Sequence, residues 1–340
     1  MSPSARRPWR HALLGLGALG LATPVAAAGS AFGVAKAGAA TPAATTYYVA
    51  VGASESLGVQ PTAASPRGAR TDDGYANALL AIERSHWPGL HLVHFGCPGI
   101  TAQEALTGGG RCRFGAGSEV AAAVDFIRDN PGRTVLATVD LGFNDLSPCL
   151  GRGTIDASCV AAGLERVSRA VPVVLRELRA AGGPRLQIVG LLHNDPYLAA
   201  YLQGARGRRF SEAALSVMER LNGVLRAVYA RAGALVANVP ARFSLGSSSP
   251  PLLRGRGRVP PDVVKVCTLS WMCARHNIHL NAAGYRAVAV AIAAALGPST
   301  EAAPRGAAPL AAPAAAADRT ARGSVHGHAR LRRRPVAPTR

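Results

Sequence analysis

Apolar residues follow two patterns along the chain, short continuous runs and longer stretches with helical spacing. The runs have the length of β-strands and cover residues 46–51, 91–95, 134–141, 186–192 and 234–239. The stretches repeat with the 3.6-residue period of an α-helix and cover residues 74–86, 118–128, 157–181, 211–232 and 282–296. Strands that alternate with helices indicate parallel βαβ units. The pattern predicts one α/β domain over residues 45–297, doubly wound, with a mainly five-stranded parallel sheet and helices on both faces.

The two ends of the chain lack this pattern. Residues 1–28 run from a basic stretch through an apolar segment to three alanines, the order typical of a secretory signal peptide. An uncleaved membrane anchor is the alternative, but the segment is short and glycine-rich for a membrane span. Residues 29–44 are predicted to be a disordered linker. Residues 298–340 are rich in alanine, proline and arginine, a composition that cannot bury a core, so a disordered basic tail is expected.

The formal net charge of +19 is concentrated toward the ends of the chain. Residues 1–44 hold four basic side chains and no acidic one, and residues 298–340 hold eight arginines against two acidic residues. The middle of the chain shows no basic stripe, so no nucleic-acid partner is expected. We expect the tail to make weak contact with an acidic cell surface and the domain to be a monomer.

The six cysteines fall into three local pairs that are separated by long gaps. Six cysteines allow fifteen connectivities, and the entropy of loop closure favours near neighbours. The disulfides predicted in this way are Cys97–Cys112, Cys149–Cys159 and Cys267–Cys273. Free buried thiols are the alternative. Disulfides agree with export, and no CxxC-like spacing indicates a zinc site.

Glycines and polar residues follow the first three predicted strands and precede the last predicted helix. They are Gly52-Ala53-Ser54, Gly99 in the sequence PGIT, Gly142-Phe143-Asn144-Asp145, and His279. Because the carboxyl ends of parallel strands meet at one edge of a sheet, we expect all four near one crevice. Taken singly, each also has a structural interpretation, as an ordinary turn or as a hydrogen-bonded histidine.

Ser54 and His279 have the side chains that nucleophilic catalysis requires. A serine hydroxyl is a weak nucleophile until a base takes its proton, and histidine is the usual base near neutral pH. The oxyanion that then forms needs donors already aimed at it. The backbone N–H groups of Ser54 and Gly99 and the side-chain amide of Asn144 are expected to supply them. We expect neither a cofactor nor a metal.

The order of these residues resembles that of the SGNH hydrolases, also called GDSL esterases and lipases, over most of residues 46–296. The blocks that match are Gly52-Ala53-Ser54, Gly99, Gly142-Phe143-Asn144-Asp145 and His276-Asn277-Ile278-His279. The resemblance implies a flavodoxin-like fold, Ser54 as the nucleophile, His279 as the base, and an oxyanion hole formed by Ser54, Gly99 and Asn144. Three sequential disulfides are also similar to those of secreted actinobacterial lipases of this family.

Two positions depart from the pattern of the family. Ala53 replaces the aspartate of the first block, and His276 occupies the place of the triad aspartate. His279 needs only an acceptor at Nδ1 to fix its tautomer, so the main-chain oxygen of His276 is predicted to orient it. A metal pair of the two histidines is the alternative, but no nearby acidic or cysteine ligand completes it.

Two apolar side chains lie inside the small Cys267–Cys273 loop, close to the candidate base. Trp271 and Met272 either line a substrate pocket or pack the loop. The sequence predicts a secreted serine esterase or lipase that acts on a small-molecule or lipid ester through an acyl-enzyme. A carbohydrate O-acetyl esterase is one alternative, and a catalytically weakened SGNH domain that serves as a cell-surface binding module is the other.

Overall fold

The computed structural model describes residues 44–151, 153–247, 252–253 and 257–297. Its strands are, in chain order, β1 (Thr46–Gly52), β2 (Leu90–His94), β3 (Thr134–Asp140), β4 (Leu150–Gly151), β5 (Thr154–Ile155), β6 (Gln187–Leu191), β7 (Leu235–Ala237), β8 (Leu252–Leu253) and β9 (Gly257–Arg258). The five long strands form one sheet in the order β2-β1-β3-β6-β7, and every neighbouring pair runs parallel. The predicted five-stranded parallel sheet is confirmed.

Helices connect these strands and cover the sheet. They are α1 (Tyr75–Glu83), α2 (Ala102–Thr107), α3 (Glu119–Asp129), α4 (Phe143–Leu146), α5 (Ala157–Gly182), α6 (Gly204–Arg231), α7 (Val239–Arg242), α8 (Pro261–Leu269), α9 (Met272–Arg275) and α10 (Ala282–Leu296). Short 3₁₀ turns cover Ser147–Cys149 and Pro196–Gln203. The five predicted helices correspond to α1, α3, α5, α6 and α10. The helix α6 begins well before its predicted start at residue 211, and α8 was not predicted.

The sheet separates two apolar cores, and β1 shows how. Val49 and Val51 point into the core formed with α3, α5 and α6, whereas Tyr48 and Ala50 point into the core formed with α1 and α10. All four side chains are fully buried. A parallel strand that is covered on both faces needs apolar residues at successive positions, which explains the continuous apolar runs in the sequence. Each fully buried large aliphatic side chain contributes about 1.5–3 kcal/mol.

Three disulfides link the pairs of cysteines that lie close in sequence. The Cα–Cα distances are 5.9 Å for Cys97–Cys112, 5.5 Å for Cys149–Cys159 and 5.0 Å for Cys267–Cys273. The predicted pairing is confirmed. Within the described part of the chain, no helix is long and apolar enough to cross a membrane. The predicted signal peptide, most of the predicted linker and the predicted basic tail lie outside the described residues.

Candidate active site

The carboxyl ends of β1 and β3 lie in close contact at the turn that holds Ser54. Gly52 ends β1 with a φ of 155°, and a Cβ at this position would lie 2.6 Å from the Cβ of Asp140, the last residue of β3. Glycine is required there because no larger residue fits between the two strands. The Ala53 N–H donates to the Asp140 carbonyl at 3.2 Å, and the Gly52 N–H donates to Oε1 of Glu119 at 2.5 Å. Backbone groups therefore fix the turn that places Ser54.

A small pocket opens beside this turn at the carboxyl edge of the sheet. Its volume is about 20 Å³, which is room for little more than one water-sized group. Its polar lining includes Ser54, Asn144, His193 and His279. The structure thus brings together three of the predicted site residues from three distant parts of the sequence, and it adds a second histidine.

Asn144 reaches the pocket from the turn after β3. Its Nδ2 donates to the Ile100 carbonyl at 3.0 Å, which leaves the second amide hydrogen for a ligand. The neighbouring Asp145 is buried and accepts from the Ala102 N–H at 2.9 Å. The turn is therefore tied to the loop after β2. Gly99 lies in that loop with a φ of 81° and is exposed, but it does not line the pocket, so its predicted role in the oxyanion hole stays a prediction.

His279 enters the pocket from the loop between α9 and α10. Its Nδ1 lies 2.8 Å from Oδ1 of Asn277, and the same oxygen accepts the His279 backbone N–H at 3.0 Å. The His279 carbonyl accepts the Trp271 N–H at 2.9 Å, so the loop folds back on the segment closed by the third disulfide. Burial lowers the pKa of His279 to about 4, because the charged imidazolium loses its hydration.

The oxygen at His279 Nδ1 corrects the prediction made for His276. The main-chain oxygen of His276 was expected there, and the side chain of Asn277 occupies the place instead. His276 ends α9 in the left-handed conformation, with a φ of 49°. The chain reverses at this residue, and the next side chain, rather than the main chain, faces the imidazole. Asn277 was not predicted, although an asparagine that accepts the N–H two residues on is a common turn.

Trp271 and Met272 have different surroundings. The Trp271 indole N–H donates to Oε1 of Gln60 at 3.1 Å, and the guanidinium of Arg275 lies 5.1 Å from the centre of its ring. Trp271 packs the loop, and it lines neither the pocket nor a second, larger cavity that lies beside the pocket. Met272 lines that second cavity.

The second cavity lies next to the pocket and is far larger, with a volume of about 590 Å³. The two are adjacent because Pro196 lines the pocket and Tyr197 lines the cavity. The rings of Phe143 and Tyr197 stack between them with their centres 6.3 Å apart. The inner wall of the cavity is apolar and consists of Leu150, Tyr197, Ala200, Phe210 and Met272. Its exposed members are Gly153, Gln203, Arg206 and His276.

His193 and Asp140 form a buried polar pair at the base of the pocket. Nε2 of His193 lies 3.1 Å from the Leu141 carbonyl, which can only accept, so this nitrogen carries the hydrogen. Nδ1 then faces Oδ1 of Asp140 at 3.8 Å. Burial raises the pKa of Asp140, although the neighbouring His193 opposes the shift. His193 directly follows the fourth predicted strand, so the rule that located the other site residues predicts this one as well.

Three acidic side chains, those of Glu55, Glu119 and Asp140, lie close to the turn that holds Ser54. Burial, together with the charge of Asp140, raises the pKa of Glu55 well above its usual range. Burial likewise raises the pKa of Glu119, while its bond from Gly52 opposes the shift. Ala53, which replaces the aspartate of the family pattern, is buried in the core beside these carboxyls. In the described ranges no group of three or more histidine, cysteine or carboxylate side chains is arranged to hold a metal ion.

The family described as GDSL-like lipase/acylhydrolase matches residues 50–287, a range that holds the four segments lining the pocket. The chain belongs to the GDSL-like lipase/acylhydrolase family. This GDSL-like hydrolase is therefore an ester hydrolase in the broad sense. A comparison with curated protein sequences finds no significant match.

Solved structures of similar fold include lipases and an acetylxylan esterase. The extracellular lipase from Streptomyces rimosus is 19% identical, with a TM-score of 0.48, over 74% of this GDSL-like hydrolase and 100% of that lipase. The acetylxylan esterase Axe2 from Geobacillus stearothermophilus is 15% identical, with a TM-score of 0.46, over 76% of this chain and 96% of that enzyme.

Proposed function

We propose that the protein hydrolyses carboxylic esters by covalent catalysis, with Ser54 as nucleophile and His279 as base. The observation that carries the proposal is the common pocket, where Ser54 and Asn144, from the ends of β1 and β3, meet His279 from the loop between α9 and α10. A nucleophile, a base and a donor for the oxyanion are the three parts that acyl transfer requires. The low pKa of His279 keeps its imidazole neutral, as a base must be.

In the first half of the reaction, Oγ of Ser54 attacks the ester carbonyl carbon and its proton passes to Nε2 of His279. The carbonyl oxygen becomes an oxyanion, which accepts from the Ser54 N–H and from the free amide hydrogen of Asn144. One such donor is worth about 2.7–4 kcal/mol of transition-state stabilisation. The intermediate then collapses, the C–O bond to the alcohol breaks, and the leaving oxygen takes the proton from His279. The acyl group remains on Ser54.

In the second half, a water molecule attacks the acyl-enzyme. His279 takes one proton of this water, and the oxyanion forms again between the same donors. The bond between Ser54 Oγ and the acyl carbon breaks, and the serine oxygen recovers the proton from His279. The free acid leaves, and both side chains return to their starting protonation states.

The second cavity, beside the pocket, favours substrates with an apolar acyl group. The pocket itself holds about 20 Å³, whereas the neighbouring cavity, which Tyr197 helps to line, offers about 590 Å³. A volume of this size lies in the range of pockets for small organic ligands. An acetyl group alone does not fill such a space. This observation favours an esterase or lipase over the alternative of a carbohydrate O-acetyl esterase.

Export from the cytoplasm is part of the same proposal. The three disulfides suit an oxidising compartment, and the amino-terminal residues have the composition of a secretory signal. Analysis of the protein secreted by its natural host, by mass and amino-terminal sequence, tests this part.

The first test replaces the candidate nucleophile. Ser54→Ala is expected to lose at least about a thousandfold in kcat, because the covalent route disappears. Ser56→Ala is the matched control, since Ser56 lies two residues on, is buried, and bonds only to the Ala53 carbonyl through its hydroxyl. An organophosphonate should label wild type and Ser56→Ala but not Ser54→Ala. A Ser54→Ala protein that keeps most of its turnover contradicts the mechanism.

The second test measures substrate preference. With p-nitrophenyl esters of increasing acyl length, kcat/KM is expected to rise from acetate to medium chains, because only the longer chains reach the cavity. Ala200→Phe narrows the cavity from its inner wall, so the ratio of kcat/KM for octanoate to that for acetate is expected to fall. Acetylated xylan and acetate esters as the best substrates would instead establish the O-acetyl esterase.

A further inference from the structure

Asn277 lies between two parts of the chain that are distant in sequence. Its Nδ2 is 3.0 Å from the Arg67 carbonyl, in the loop between β1 and α1. Its Oδ1 is 3.0 Å from the His279 backbone nitrogen and 2.8 Å from Nδ1 of the same histidine. Both the NH₂ group and the oxygen of this side-chain amide therefore form hydrogen bonds.

Backbone groups decide which end of this amide faces which partner. The Arg67 carbonyl can only accept a hydrogen bond, so it must face the NH₂ group of Asn277. The His279 backbone N–H can only donate, so it must face the oxygen. The orientation is thus fixed by two groups that do not titrate. Because an amide oxygen can only accept, Nδ1 of His279 carries the hydrogen, and the lone pair of the neutral ring is on Nε2.

We infer that Asn277 is a positioning residue, which selects the His279 tautomer with a free Nε2 and supplies no negative charge to the imidazole. The inference rests on the proposed function, in which Nε2 takes the proton of Ser54. In a serine-histidine-aspartate triad, the carboxylate both orients the ring and stabilises the imidazolium. Asn277 performs the first of these tasks and not the second.

The missing charge has a consequence for pH dependence. The titratable groups that share the pocket with His279 are Glu55, Asp140 and His193. Burial raises the pKa of both carboxyls, which favours their neutral forms. No salt bridge to His279 forms within the described residues. Burial is the one cause that shifts the pKa of His279, and it moves it down to about 4. Since only the neutral ring is a base, turnover should persist from neutral pH down to about pH 4.

Asn277→Asp and Asn277→Ala separate the two tasks. A carboxylate at 277 should raise the pKa of His279 by about one unit or more, so the acid limb of the kcat/KM profile moves to higher pH by that amount. Alanine removes the acceptor, so kcat should fall about tenfold or more while KM changes less than about threefold. The acid limb should not move up in Asn277→Ala, because no charge is introduced.

Asn281→Asp is the matched control. Asn281 also bridges two segments through its amide, since its Nδ2 donates to the Thr268 carbonyl at 2.9 Å and its Oδ1 caps α10 at the Gly284 N–H. Aspartate at either position keeps an acceptor and replaces a donor to a carbonyl by a carboxylate oxygen. Both variants should therefore lose similar thermal stability, and only Asn277→Asp should shift the pH profile.

The tautomer is read directly from the ¹⁵N chemical shifts of labelled histidines, with His279→Ala to assign the signal. Wild type should show a protonated Nδ1 and an unprotonated Nε2 at His279, and Asn277→Ala should show a mixture. A protonated Nε2 in wild type overturns the inference, as does an unmoved acid limb in Asn277→Asp or full kcat in Asn277→Ala. Failure of the proposed function is a different result, namely activity retained by Ser54→Ala, and it leaves the histidine spectrum unaffected.

Discussion

Ser54 and His279 line one pocket, but the segments that hold them are built differently. The Ser54 turn is an extension of the sheet, with Gly52 and Ala53 bonded directly to groups at the end of β3 and the start of α3. The His279 loop lies outside the sheet, between two helices. It is held by a disulfide, by the bridge between Ser270 and Leu280, and by the side-chain bonds of Asn277.

This difference predicts different responses to damage. A turn that is continuous with a buried parallel sheet cannot shift unless the sheet shifts with it, so a change there should reduce the stability of the whole domain. A loop held by side chains and one disulfide can change position while the sheet stays intact. Damage there should reduce activity more than it reduces stability.

The largest effect is expected from Gly52→Ala. The new Cβ would lie 2.6 Å from the Asp140 Cβ and 2.7 Å from the Asp140 carbonyl oxygen, and the φ of 155° is itself unfavourable for alanine. Strain and overpacking together should lower the free energy of unfolding by about 3–5 kcal/mol. Urea unfolding followed by circular dichroism measures the loss.

Gly223→Ala is the control for this change. Gly223 is an exposed residue within α6, and a Cβ there meets no neighbouring atom within 4 Å. Alanine in a helix should leave stability equal or raise it by about 1 kcal/mol. If Gly52→Ala unfolds at the same urea concentration as wild type, Gly52 and Asp140 are not in close contact at the ends of β1 and β3.

The sequence was sufficient to predict the sheet because its strands are buried on both faces. Residues 47–51, for example, contain no charged side chain, and this feature is visible in the sequence without knowledge of any partner. The short helix α8 shows the limit, because only Val263 and Val266 of its apolar residues are fully buried and its periodic signal is weak. The start of α6 was predicted too late, since Arg206, Arg208 and Arg209 in its first turns hide the helical pattern.

The residues of the Ser54 turn could be predicted from the sequence, whereas those of the His279 loop could be predicted only in part. Ser54 and Asn144 were predicted from their places directly after strands together with the family pattern, and the rule of place extends to His193. Asn277 was missed because its function depends on Arg67, a residue that is distant in sequence and contributes only its carbonyl. The local turn at Asn277 is a common asparagine pattern, but the residue types alone do not show that the same oxygen also faces Nδ1 of His279. The family pattern also pointed to position 276, one residue away.

Removal of the third disulfide should have a smaller effect on stability than Gly52→Ala. It is also the sharper test of the difference between the Ser54 turn and the His279 loop. Cys267→Ser/Cys273→Ser opens the loop that packs against the His279 segment, and Cys149→Ser/Cys159→Ser opens a loop of similar length beside the second cavity, which acetate does not need to enter. Each double variant should lose about 2–3 kcal/mol of stability, since both close short loops. With p-nitrophenyl acetate, assayed well below both melting temperatures, kcat should fall about tenfold or more in the first variant and less than about twofold in the second. Equal kcat in both would mean that hydrogen bonds alone hold His279, and the disulfide would then have no part in positioning the base.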